Sequence, residues 1–68
     1  MTPLSGPALC RALERHGWSL LRINGSHHIY GKSGQTARLS VPCHGAKPLK
    51  LGLFRALLKA ASLTDADL

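Results

Sequence analysis

The 68-residue chain carries nine Lys/Arg against three Asp/Glu, giving a net charge of +6 and a pI near 10.2. A domain this small buries only about 60% of the surface its unfolded chain exposes, so a thin stability margin is expected. Two cysteines, Cys10 and Cys43, form no CxxC pair, which argues against a disulfide framework or a structural zinc ribbon. Free thiols in a reducing compartment are expected, with a lone Cys10–Cys43 bridge as the arithmetical alternative.

The apolar runs are far shorter than the roughly 20 residues that span a bilayer. Met1-Thr2-Pro3-Leu4-Ser5 shows neither the basic nor the apolar part of a signal peptide. These features predict a soluble cytoplasmic protein, one domain over residues 1–68, with no membrane partner. Between Met1 and Thr64 the only acid is Glu14. A chain basic almost throughout is suited to phosphates or to an acidic partner.

In chain order, the first predicted element is a helix opened by Pro7 and running to His16, with Leu9, Ala12, Leu13 and His16 at helical spacing. Proline fits the first turn, and Gly17 fits the left-handed position beyond the last. Trp18 then packs back towards Leu13. Two strand-like runs follow, Trp18 to Ile23 and Ser26 to Tyr30, separated by Asn24-Gly25, a strong hairpin signal because both turn residues accept positive φ. Gly31 to Gln35 reads as a turn. A third strand over Thr36–Val41 alternates cleanly, with Ala37, Leu39 and Val41 on one side and Thr36, Arg38 and Ser40 on the other, and Pro42 ends it. After the loop Cys43 to Lys50, a second helix is predicted from about Leu51 to Ala61. Its apolar stripe is Leu53, Phe54, Leu57, Leu58 and Ala61, and Arg55 and Lys59 form a basic i,i+4 pair. The class is therefore α+β in the order α-β-β-β-α. A three-stranded antiparallel sheet carries both helices on one face and leaves the other open.

The candidate chemistry centres on Gly25-Ser26-His27-His28. Neighbouring strand residues face opposite sides, so His27 and His28 serve different surfaces. Alternation does not say which is which, because Ile29 goes with His27 and Tyr30 with His28. Metal-free RNA cleavage needs a base for the ribose 2′-OH, and an ordinary histidine, with a pKa near 6.5, keeps a neutral fraction at pH 7. Arg22, Lys32, Arg38, Lys47 and Lys50 are the candidate phosphate-binding residues; each alone reads as a solvated charge, and as a set they line a path.

Competing chemistries lack parts. There are no paired carboxylates for two-metal catalysis, since Glu14 stands alone. There is no GxxxxGK[ST] loop. Zinc on Cys43-His44 with His27 or His28 lacks regular spacing and a fourth ligand, so no metal and no cofactor are expected. A Ser26–His27 nucleophile pair fails because the two side chains point apart. Among the aromatics, Trp18 and Phe54 read as core, and Tyr30 is open to two roles, base stacking or packing. A non-catalytic RNA-binding module using the same basic surface is the alternative to a nuclease.

Gly17-Trp18, Arg22, Gly25-Ser26-His27-His28, Val41-Pro42-Cys43-His44 and Lys47-Pro48-Leu49-Lys50-Leu51-Gly52, in this order and spacing, resemble the HicA toxin family. The similarity runs from Ser5 to about Leu63. It implies a small ribonuclease toxin with a fold like a double-stranded-RNA-binding domain. Such a toxin cleaves mRNA without metal through the histidine of the GSH motif, here His27. The resemblance also implies a HicB-type antitoxin that covers the active site and supports repression of the shared operon. His44 matches the family's loop histidine and, with Ser26 and His28, is a candidate supporting group. The chain departs from the family at Gly52-Leu53, where Gly-Thr is usual, implying a lost hydroxyl cap, and at Ser62, where glycine is frequent.

Overall fold

The computed structural model describes residues 2–68. Helix α1 spans Gly6–Arg15, β1 Ser19–Asn24, β2 His27–Gly31, β3 Leu39–Pro42 and α2 Leu51–Ala60, and a short 3₁₀ turn covers Asp65–Asp67. The strands form one antiparallel sheet in the order β1-β2-β3. This is the α-β-β-β-α, α+β arrangement expected from the sequence.

Helix α1 has both ends signed by its residues. Ser5 Oγ accepts from the Ala8 amide at 3.3 Å and Pro7 lies in the first turn. At the other end Gly17 sits at φ +91°, its amide donating to Glu14 O (3.2 Å) while that of Trp18 donates to Leu13 O (3.0 Å). Those two bonds make a Schellman cap and turn Trp18 into the core. Gly6 allows α1 to touch the sheet, because a Cβ there would come within 2.0 Å of the Pro42 carbonyl oxygen.

Helix α2 ends in the same cap on a less suitable residue. Ser62 occupies the left-handed position at φ +57°, with Ser62 N–H on Lys59 O (3.1 Å) and Leu63 N–H on Leu58 O (2.9 Å). At its start the cap residue is Lys50, which makes no side-chain cap bond. Leu53 therefore lies inside the first turn, and the expectation that a lost hydroxyl at this position removes the helix cap is corrected. Leu53 also leaves the apolar stripe, being 39% exposed, while Phe54, Leu57, Leu58 and Ala61 are buried as expected.

The core is a single cluster in which Leu9, Cys10 and Leu13 of α1 and Phe54, Leu57 and Leu58 of α2 meet Trp18, Tyr30, Leu39 and Val41. Both helices thus cover one face of the sheet. Tyr30 is buried and its hydroxyl donates to Glu14 Oε2 at 2.6 Å. Burial first, and then that bond, hold the phenol well above its ordinary range. Base stacking by Tyr30 is thereby overturned: the ring is core. Burial likewise pushes the Cys10 thiol up to about 11.

Two strand expectations shift. The hairpin turn is Gly25-Ser26 rather than Asn24-Gly25, since Asn24 pairs with His27 inside the ladder. Only Gly25 has positive φ (+64°), the pattern of a II′ turn with glycine first. Strand β3 begins at Leu39, three residues later than read. After Gly31 the chain turns away, with Gln35 N–H on Lys32 O at 3.0 Å, so residues 36–38 lie outside the sheet.

Candidate functional site

Cross-strand pairing decides which face each histidine takes. His28 pairs with Val41 and Tyr30 with Leu39, and Val41, Tyr30 and Leu39 are all buried. His28 therefore sits on the helix-covered face, and alternation puts His27 on the open one. There His27 is exposed, and its Nδ1 lies 3.1 Å from Ser40 Oγ. Ser40 is positioned by the alternation that buries Leu39 and Val41 on either side of it. Among the described residues this is the one hydrogen bond of the His27 ring, and Nε2 makes none. Arg22 pairs with Ile29 and so lies on the same face, one diagonal from His27 or about 7–8 Å away.

The hairpin turn is fastened to the loop after β3, because the Cys43 amide donates to Ser26 O at 2.8 Å. This brings His44 beside Ser26, with Nε2 and Oγ 3.5 Å apart, a contact at the long limit of a hydrogen bond. Pro42, the cross-strand partner of His27, forms one wall of an open groove of about 540 Å³. His44, Lys47, Pro48, Leu49, Lys50 and Leu53 supply the rest of its lining. A further bond, Leu49 N–H to Leu4 O at 2.9 Å, and a bridge between Ser5 and Pro48 tie this loop to the start of α1.

The expected cationic set does not gather at one place. Arg22, Lys47 and Lys50 lie at or near the His27 end of the sheet. Lys32 and Arg38 line a shallower depression of about 330 Å³ with Ser19, Leu21 and Ser33 at the Gly31 end. Strand β2 separates the two ends by about 13 Å, four steps at roughly 3.3 Å each. The Arg38 guanidinium is also turned inward on its own loop, donating to the carbonyls of Gln35 (3.2 Å) and Ala37 (3.2 Å).

A profile described as the HicA toxin of bacterial toxin-antitoxin matches residues 6–63, most of the chain. The chain belongs to the HicA toxin family. It is accordingly the toxin of a toxin–antitoxin system and has an antitoxin as partner. Among curated proteins, none matches it. No helix among the described residues is long and apolar enough to cross a membrane.

The geometry of this HicA chain adds one residue that reading the sequence passed over. Alternation puts Ser40 on the outer side of its strand, but its approach to His27 depends on the β2–β3 register, which residue spacing alone does not give. The structure also moves His28 away from the exposed site. Its donor atom, with the sulfurs of Cys10 and Cys43, forms a group lying within 4.8 Å of one another on the covered face.

Proposed function

We propose that this HicA toxin is a metal-independent mRNA endoribonuclease in which His27 is the general base. The observation that carries the reading is an exposed imidazole held through Nδ1 by Ser40 at 3.1 Å. In the tautomer whose Nδ1–H donates to Ser40 Oγ, the lone pair resides on Nε2, and this is the form in which His27 acts as base. Nε2 takes the proton of a ribose 2′-OH as that oxygen attacks the adjacent phosphorus. The P–O5′ bond then breaks, the 5′-oxygen leaves as a hydroxyl with a proton taken from solvent, and a 2′,3′-cyclic phosphate remains. Arg22, Lys47 and Lys50 stabilise the charge that builds on the phosphorane. Lys32 and Arg38, at the far end of the sheet, engage RNA beyond the scissile nucleotide. His44 lines the groove with Ser26 3.5 Å from its ring, and the two support phosphate contact.

The partner fits the same surface. A HicB-type antitoxin presenting acidic groups to the His27 face would mask the base and meet a net charge of +6. The reaction belongs in the cytoplasm, where both mRNA and antitoxin are found.

Chemistry through the 2′-OH is tested by a defined RNA carrying a single 2′-deoxyribose at the mapped cleavage site. Cleavage should stop at that position, and the unmodified RNA should yield cyclic phosphate ends. Scission of the deoxy-substituted bond would rule out the mechanism. Salt-sensitive binding with every RNA left intact would mark a non-catalytic RNA-binding module instead.

A further inference from the structure

The face opposite His27 holds a group of side chains that RNA cleavage does not use. Cys10 projects from α1, His28 from β2, and Cys43 from the loop after β3. Their donor atoms all lie within 4.8 Å of one another, and the two sulfurs are 3.6 Å apart. Cys10 is buried and the other two are half-buried. Both cysteines are free thiols.

Two readings compete for a close pair of thiols, and the third member separates them. A disulfide needs no histidine. A thiophilic cation does use one, and two sulfurs at about 2.3 Å from a tetrahedral zinc stand about 3.8 Å apart, close to the spacing seen. We propose that Cys10, Cys43 and His28 form a binding site for a thiophilic d¹⁰ cation, Zn²⁺ above all, with the fourth position taken by water.

On binding, two S–H bonds break and two protons pass to solvent. Two Zn–S bonds and one Zn–N bond form, with no change of oxidation state. The charges of two thiolates and one Zn²⁺ cancel, which makes the group compatible with its half-buried place. The cation ties α1, β2 and the β3–α2 loop together at one point. Domains of this size commonly rely on such a staple.

The sequence did not show this set. Sequence proximity groups Cys43-His44 with His27 or His28, whereas the fold replaces His44 with Cys10, 33 residues from Cys43. The proposal does not rest on the nuclease reading, because His27 and the cluster occupy opposite faces of β2.

The test uses the full chain, reduced by a non-coordinating phosphine and stripped of metal, and titrated with Zn²⁺ and, as an optical probe, Co²⁺. One equivalent should bind, with thiolate-to-cobalt charge-transfer absorption, tetrahedral d–d bands and two protons released per zinc. The Tm should rise with zinc concentration. Cys10→Ser should weaken zinc binding more than the about 10–100-fold that altering an outer hydrogen-bond partner costs. Cys43→Ser, at a half-buried loop position, gives the same reading should Cys10→Ser not fold. His44→Ala should leave zinc affinity unchanged. Absence of one-to-one binding overturns the site, as does affinity that survives loss of both cysteines. So does a chain that forms the Cys10–Cys43 disulfide in air while its reduced form ignores zinc.

Discussion

Ser40 is exposed and contributes no core packing, yet it is the side chain within 3.1 Å of His27 Nδ1. Ser40→Ala should leave the thermal midpoint unchanged and lower kcat about 10-fold at constant KM, part of the 10²–10⁴-fold that a positioned base supplies. Ser40→Thr, which keeps the hydroxyl, should recover most of the loss. An unaltered kcat in Ser40→Ala would show that the hydroxyl does not orient the ring. Ser62 is the opposite case, a residue whose role lies in its backbone. It holds φ +57° at the C-terminal cap of α2, where a side chain is strained. Ser62→Gly should raise stability by about 0.5–1 kcal/mol, the relief of strain exceeding the added freedom of the unfolded chain. Urea titration checks this, and a destabilised Ser62→Gly would contradict it. The residue scale is also where the sequence was least informative about the site. His27 and His28 each share a face with one apolar neighbour, Ile29 or Tyr30, so alternation gave two equal answers until the buried partners of β3 broke the tie.

Among elements, those with local signals at both ends were read well. Pro7 and Gly17 mark α1 because their backbone preferences act within a few residues. The Asn-Gly signal located the hairpin, although the turn uses Gly25-Ser26 and takes Asn24 into the strand. Strand β3 was read three residues too long because alternation continues through Thr36 to Arg38 after the neighbouring strand has turned away at Gly31. The Leu53 position failed for a similar reason: helical spacing fits the stripe, but the start of α2 directs that side chain to the groove. The C-terminal turn shows no periodic pattern, and it is held by polar contacts together with Leu63 and Leu68, which pack against the core on either side of it. Asp67 Oδ2 accepts from the Thr64 amide at 2.7 Å and from its hydroxyl at 3.1 Å, and the His16 ring reaches Asp67 O at 2.9 Å. The backbone bond, then the hydroxyl bond, hold the Asp67 carboxyl below its ordinary value of 3.8, with a smaller contribution from the charge of His16. A depressed folded-state pKa means stability that is present above the unfolded value and lost as pH falls through the folded one. The turn should therefore stay docked near neutrality and fray only in acid below 3.8. An NMR titration of the Asp67 carboxyl should give a midpoint under that value, and Thr64→Val should raise it. A midpoint at or above 3.8 in the unaltered chain would contradict the contacts described.

For the molecule as a whole, charge and fold class were legible because each is a sum over many residues and tolerates local error. The grouping of the basic side chains was not, since it depends on which end of the sheet each loop reaches. Arg22, Lys47 and Lys50 fall towards the His27 end, and Lys32 and Arg38 at the other. The lone acid of the first 64 residues, Glu14, accepts from the buried Tyr30 and is thereby held on the helix-covered side of the sheet. The basic side chains thus form two groups, one around the groove that Pro42, the cross-strand partner of His27, lines and one at the Gly31 end. The most direct check of the central claim is cleavage of a defined mRNA by the purified toxin in excess EDTA, beside His27→Ala shown to be folded by circular dichroism. The native chain should cut, and His27→Ala should cut at least about 100-fold more slowly. Equal cleavage by both folded proteins would contradict the assignment of His27 as the base.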